Sequence, residues 1–215
     1  MTPADRAELH YSGRTKYDAR VADRYLNKAE GRRARENAIL IELLDAHGVR
    51  GRLLDAPCGV ARVGALLADR DIDYTAGDIS SAMVDAAAER LADLDGTDLN
   101  HRLMRCDLEG MPFAGPTFDV SLRLLHHLPR PIRARVLGEI ARVTQRILIV
   151  TYFHPFALHF LERRVKAIIK RRPSDRYSNT AGWLKRVLEP QGFRMIDSRG
   201  TGLLRETRYG VFERT

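Results

Sequence analysis

The chain has 215 residues, enough for one domain with a full core, and 44% of them are hydrophobic, which argues against disorder. Its two cysteines, Cys58 and Cys106, are too few for a disulfide scaffold and lack metal-site spacing, while Met1 to Lys16 is polar and without the apolar stretch of a secretory leader. The formal net charge of +8 comes almost wholly from arginine. It points to nucleic acid, an anionic membrane or an acidic substrate, and equally to the arginine-heavy usage of a GC-rich genome.

In chain order the pattern alternates between helix and strand. Glu30 to His47 reads as a helix with Ala34, Ala38, Ile41 and Leu44 on one face, stopped by Gly48. Arg52 to Ala56 is a strand, Val60 to Asp69 a helix, and Tyr74 to Asp78 a second strand. Ser80 or Ser81 caps a helix whose apolar stripe is Met83, Ala87, Leu91 and Leu94. His101 to Cys106 and Phe118 to Leu124 are further strands, and Ile132 to Val143 is a helix. Ile147 to Tyr152 is an apolar run suited to a strand covered on both faces. Thr180 to Leu188 forms a last helix, and Phe193 to Ser198 with Thr207 to Glu213 a final strand pair. This is an α/β pattern, a single domain over 1–215 with helices on both faces of a mostly parallel sheet.

The longest uncharged run, Ile147 to Leu161, is interrupted by His154, Pro155 and His159 and is too short to span a bilayer, so a cytoplasmic protein is the simplest expectation. Residues 153–178 are more than the core needs. Leu158, Leu161, Val165 and Ile168 recur there at helical spacing, beside Arg163, Arg164, Lys166, Lys170, Arg171 and Arg172. Such a basic amphipathic insertion suits a lid with solvated cations, or peripheral contact of 156–172 with an inner membrane surface.

The chemistry is carried by Leu53-Leu54-Asp55-Ala56-Pro57-Cys58-Gly59-Val60-Ala61-Arg62, a buried strand running into a tight turn and a helix. Asp78 follows Gly59 by roughly 20 positions at the tip of the next strand, where a carboxylate can accept hydrogen bonds from a ribose. A dinucleotide fingerprint needs glycine at 57, 59 and 62, and this chain has Pro57, Gly59 and Arg62. A pyrophosphate cradle is therefore disfavoured. S-adenosylmethionine carries ribose and adenine without phosphate, and does not demand that cradle.

On these residues the chain resembles the class I S-adenosylmethionine-dependent methyltransferases, in the broad group that includes the quinone-biosynthesis C-methyltransferases. Leu53 to Arg62 is similar to the first motif, with a Pro-Cys-Gly variant of the turn, and Gly77-Asp78-Ile79-Ser80 to the ribose-binding acidic motif. Cys106 to Phe113 resembles the adenine-contacting loop, with Asp107 toward the exocyclic amine, and Phe118 to Pro129 resembles the fourth strand and its exit. Ala61 stands where the family usually has glycine, so the loop is expected to pass the cofactor less closely.

The resemblance implies a Rossmann-like, mostly parallel seven-stranded sheet, with residues 1–47 as helices covering the cofactor. It implies cofactor contacts from Asp55, Pro57, Cys58, Gly59, Arg62, Asp78, Ile79, Met83, Asp107, Leu108 and Arg123, and from Tyr17 against the sulfonium. Methyl transfer needs mainly proximity and alignment, and a base only where the acceptor is protonated. His126 and His127 are the candidate bases, ahead of Tyr152 and His154. No metal site is expected. The leading expectation is methyl transfer to a small-molecule or lipid-like acceptor. The alternatives are an RNA methyltransferase, against which stands the lack of an Asn-Pro-Pro-Tyr-type motif after strand four, and a non-catalytic module that retains the fold.

Overall fold

The computed structural model of the chain describes residues 18–26, 34–68, 70–94, 99, 101–125, 128, 130–155, 177–202, 205 and 207–215. Its helices are α1 (Ala19–Leu26), α2 (Ala34–Ala46), α3 (Arg62–Leu66), α4 (Ser81–Ala92), α5 (Arg130–Val143) and α6 (Ala181–Leu188). The strands are β1 (Gly51–Asp55), β2 (Ile72–Asp78), β3 (His101–Arg105), β4 (Phe118–Leu124), β5 (Thr144–Phe153), β6 (Phe193–Gly200) and β7 (Thr207–Arg214). They form one seven-stranded sheet in the order β3-β2-β1-β4-β5-β7-β6. Strands β1 to β5 are parallel, and β7 runs antiparallel between β5 and β6. The order reverses between β1 and β4, and a parallel sheet takes its ligand beside that reversal, at the carboxyl ends of the strands.

Alternation along the strands sends side chains to two cores. Leu53, Tyr74, Val120, Leu122, Ile147 and Ile149 pack on one face with Leu40, Leu43 and Leu44 of α2. Leu54, Leu148, Val150 and Tyr152 pack on the other with Ile132, Val136 and Ile140 of α5 and Leu184 of α6. A smaller cluster joins Ala22 of α1 to Met83 and Ala86 of α4 and to Val60 of the turn, which sets α1 beside the glycine turn.

Three sequence expectations need correction. The buried stripe of α2 is Ile39, Leu40, Leu43 and Leu44, whereas Ala34 and Ala38 are exposed. The branched chains carry far more apolar area than alanine, so they set the helix's rotation. Helix α3 is also shorter than Val60 to Asp69, because Val60 and Ala61 are used up in the turn before it. Strand β5 is longer than expected, beginning at Thr144 directly after α5 without a connecting loop. Ser80 and Thr180 cap α4 and α6, accepting hydrogen bonds from Met83 N at 3.3 Å and Trp183 N at 3.2 Å. No helix among the described residues is long and apolar enough to cross a membrane.

Candidate active site

The turn after β1 is tied to both neighbouring strands. Ala56 N donates to Leu122 O of β4 at 3.3 Å, and Cys58 N to Gly77 O of β2 at 2.9 Å. Gly59 takes φ +55, the left-handed region natural to glycine, and an added Cβ there would meet none of the described residues within 4 Å. Open space over a backbone held so firmly is what close approach of a ligand requires.

Asp78 closes the other side. Its Oδ2 accepts from Gly59 N and its Oδ1 from Ser80 N, both at 3.0 Å, and the residue is only 6% exposed. An ionised carboxylate has about four lone-pair sites, and these two backbone donors engage one on each oxygen. One carboxylate thus ties the glycine turn to the residue that caps α4. The next strand end repeats the device: Cys106 N donates to Asp78 O at 2.9 Å, and Asp107 Oδ1 accepts from Glu109 N at 3.0 Å.

Asp55 lies beneath the turn, where the Tyr74 hydroxyl donates to its Oδ2 at 2.9 Å. Tyr74 and Asp55 share a face because Tyr74 pairs with Leu53 and Ala76 with Asp55 across parallel strands. Burial first, and the Asp55 charge second, push the Tyr74 phenol well above its ordinary range, so it stays a neutral donor. The glycine that seats α3 on this tyrosine is Gly64, whose hypothetical Cβ would lie 2.5 Å from Leu91 Cδ2 and 3.1 Å from Tyr74 Cε1.

The thiols have no nucleophilic setting. Burial, with Asp55 and Asp78 nearby, pushes Cys58 far up, and burial with Asp107 beside it lifts Cys106 to about 11. Neither is a thiolate at neutral pH. Met83 packs against Val60 and Ala22, and Leu108 is buried in the second core. Ile79 is half-buried just past β2, its carbonyl accepting from Arg105 Nε at 3.1 Å. Pro57 sits in the turn itself, half-buried. His126, His127, Tyr17 and the side chain of Arg123 lie outside the described residues, as do residues 156–176 of the insertion.

Beyond β5, burial and then the charge of Arg208 hold the pKa of His154 below its ordinary 6.5. Tyr152 is fully buried and its hydroxyl has no hydrogen-bond partner among the described residues, which removes it as a base facing a substrate. Sequence reasoning missed Arg133, 2% exposed at the start of α5. Its Nε donates to Leu128 O at 2.8 Å, its Nη1 to Ser178 O at 3.2 Å and to Asn179 Oδ1, and it stands 5.0 Å from the centre of the Tyr177 ring. Asn179 N donates to Phe153 O at 2.8 Å, so both ends of the insertion are fastened to the sheet. An arginine in a helix pattern gives no sign of such a role. A depression of about 520 Å³ lined by Arg50, Gly51, Asp119 and Arg146 lies at the amino ends of β1, β4 and β5, away from all this chemistry.

Residues 53–146 match a family described as a methyltransferase domain, a span that holds Asp55, Gly59, Asp78 and Asp107. No curated protein sequence matches the chain. Among solved structures, a magnesium protoporphyrin IX methyltransferase from Synechocystis PCC 6803 with bound S-adenosylhomocysteine is 21% identical at TM-score 0.74, covering 95% of this chain and 96% of that one. The 1,6-didemethyltoxoflavin-N1-methyltransferase of Burkholderia thailandensis, with its substrate and S-adenosylhomocysteine bound, is 18% identical at TM-score 0.70, covering 100% and 91%. An O-methyltransferase family protein from Burkholderia thailandensis is 16% identical at TM-score 0.72, covering 93% and 61%. At these identities the structural likeness speaks to the fold, and the matched domain speaks to the chemistry. Residues 53–146 are thus similar to a methyltransferase domain, and the chain shares its fold with methyltransferases crystallised with S-adenosylhomocysteine.

Proposed function

We propose that the chain methylates a small-molecule acceptor held over the carboxyl ends of β4 and β5. In the finer form of the proposal the acceptor is lipid-like, as for the quinone-biosynthesis group, with the insertion at 153–178 bordering it. The observation that carries the cofactor placement is Asp78, buried at the tip of β2 while it pins the glycine turn. The residues present fit S-adenosylmethionine, since Gly59 leaves open space over a rigid backbone and no phosphate cradle is required. Bound there, the cofactor supplies a methyl group already activated on a sulfonium.

The protein's work is then positional. Asp78 orients the ribose, Asp107 and the buried Leu108 beside it border the adenine, and the backbone at Pro57, Cys58 and Gly59 fixes the distance of approach. Asp55 supports that turn from below through Tyr74. Ile79, Met83 and Arg123 complete the cofactor's surroundings in this proposal, and Tyr17 the contact with the sulfonium. His126 and His127, just past β4, are the proposed bases for an acceptor that must lose a proton.

Calorimetric titration with S-adenosylhomocysteine, beside Asp78→Ala and with NADH as control, tests the reading. Wild type is expected to bind saturably, and the variant to lose about 1.5–3 kcal/mol, roughly 10- to 150-fold. A folded Asp78→Ala with wild-type affinity, or preferential binding of NADH, would remove the ribose from Asp78.

A further inference from the structure

The depression at the amino ends of β1, β4 and β5 is lined by Gly48, Arg50, Gly51, Asp119 and Arg146. Its volume of about 520 Å³ is that of a small-molecule site. The sheet brings its walls together. Leu53, Val120 and Ile147 stand in one row across β1, β4 and β5, so Arg52, Asp119 and Arg146 lie just ahead of that row. Gly48 and Gly51, at φ +54 and +76, carry the chain from α2 into β1 and add no side chain to the space. A Cβ at Gly51 would lie 2.6 Å from Asp119 Oδ2, so this glycine also gives the carboxylate its seat.

The acids at this end are already engaged. Asp119 Oδ2 accepts from Arg52 N at 2.8 Å and stands 3.9 Å from Arg52 Nε. Asp45, in the last turn of α2, is held by both terminal nitrogens of Arg70, at 2.5 and 3.2 Å. Carbonyls ending a helix repel an anion, and here they are occupied. Those of Leu44 and Asp45 accept from Val49 N and Gly48 N at 2.9 and 3.1 Å, and that of Gly48 from Arg146 Nη2 at 3.0 Å. With Arg52 matched to Asp119, the lining keeps the two positive charges of Arg50 and Arg146, both exposed. Arg146 spends one of its five donors on Gly48, a bond that also steadies its fork.

Among the described residues the lining has no apolar or aromatic side chain, so neither a hydrocarbon nor a nucleobase finds a partner there. Arginine forks suit phosphoryl oxygens, and a phosphate monoester carries about two negative charges at neutral pH, matching the two guanidinium groups. A bare phosphate would fill a small part of the space, which leaves room for a polar body. We propose that this depression binds a phosphate monoester of a small polar molecule through Arg50 and Arg146. Four steps along β1, about 13 Å at roughly 3.3 Å each, separate Gly51 from Asp55 below the cofactor turn, so the site is distinct from the cofactor crevice. The proposal does not depend on the cofactor placement.

Calorimetry on the full chain at fixed ionic strength tests it, with glycerol 3-phosphate beside glycerol, glucose 6-phosphate beside glucose, and inorganic phosphate. At least one ester is expected to bind about 10-fold more tightly than its parent alcohol and more tightly than inorganic phosphate. Arg50→Gln and Arg146→Gln should each weaken that ester about 10-fold and leave the affinity for S-adenosylhomocysteine within about 2-fold. Arg50 is exposed and makes the simpler variant, so Arg50→Gln carries the test should Arg146→Gln not fold. Absence of ester binding in wild type, or unchanged binding in Arg50→Gln, would overturn the proposal. Displacement of the ester by S-adenosylhomocysteine would overturn it too, by moving the anion to the cofactor crevice. An RNA oligonucleotide that binds more tightly than every ester, and is lost in the same variants, would overturn it in favour of a nucleic-acid surface. Failure of wild type to bind S-adenosylhomocysteine would count against the cofactor placement alone, because the ester titrations are read without it.

Discussion

Tyr74→Phe deletes one oxygen and leaves the ring in place. The oxygen lost is the donor to Asp55 Oδ2 at 2.9 Å, between a fully buried tyrosine and a carboxylate that is 7% exposed. A hydrogen bond to a charged group contributes about 1.5–3 kcal/mol, and the retained ring keeps any cavity small, so the loss should fall in that range. For a chain of this size each kcal/mol moves Tm by about 2–4 °C, which gives a fall of about 3–12 °C. Differential scanning calorimetry measures it, and urea unfolding should show a lower midpoint at unchanged slope. Because burial and Asp55 hold the phenol far above its ordinary range, the loss should be the same at mildly acid and mildly alkaline pH. Affinity for S-adenosylhomocysteine should fall too, by less than in Asp78→Ala, since Asp55 supports the turn from below. A Tm within about 1 °C of wild type would refute the reasoning, because a buried carboxylate cannot lose such a donor at no cost.

Gly64→Ala should lower stability by roughly 1–3 kcal/mol less the gain of about 1 kcal/mol from better helix propensity, because its Cβ would lie 2.5 Å from Leu91 Cδ2 and 3.1 Å from the Tyr74 ring. In a double-mutant cycle with Tyr74→Phe the effects should deviate from additivity by at least about 0.5 kcal/mol, as expected of residues in contact. His154 should titrate below 6.5 by NMR, and Arg208→Gln should move its midpoint upward. Since the folded state binds this proton less readily than the unfolded chain, the stability His154 contributes is present above the unfolded pKa and weakens as pH falls through it. His154→Gln should flatten that part of the stability profile.

The sequence was legible where one segment decides its own structure. Phe118 to Leu124 is a strand over the range its pattern predicts, and Ser80 and Thr180 cap their helices as small hydroxyl residues do. The glycine turn and Asp78 could be placed because their spacing encodes a strand, a turn, a helix and a second strand. What could not be read were pairings between segments. Periodicity marks α2 as a helix, yet its rotation depends on the area each side chain can bury against a sheet not yet assembled. Tyr74 reaches Asp55 only once β1 and β2 lie parallel in one register. Arg133 reaches Ser178 and Asn179 from 45 and 46 residues away, and no local pattern distinguishes it from the arginines that face solvent.

Ala61 shows how a departure from a family pattern can change energy and leave geometry intact. Its φ of 48 and ψ of 40 are left-handed, the conformation that makes glycine usual at this place. Alanine loses roughly 1–2 kcal/mol there. Two terms oppose that loss. The methyl group is fully buried in the core with Leu53 and Tyr74, worth about 0.8 kcal/mol, and alanine leaves the unfolded chain fewer conformations to give up, worth about 0.4–1 kcal/mol. The sums nearly cancel, so the chain can keep alanine while its backbone follows the path a glycine would take. Ala61 N still donates to Cys58 O at 3.1 Å, and Gly64 N to Ala61 O at 3.0 Å. The expectation that this alanine holds the loop away from the cofactor therefore loses its physical basis: the methyl lies in the core, and the open side of the turn belongs to Gly59.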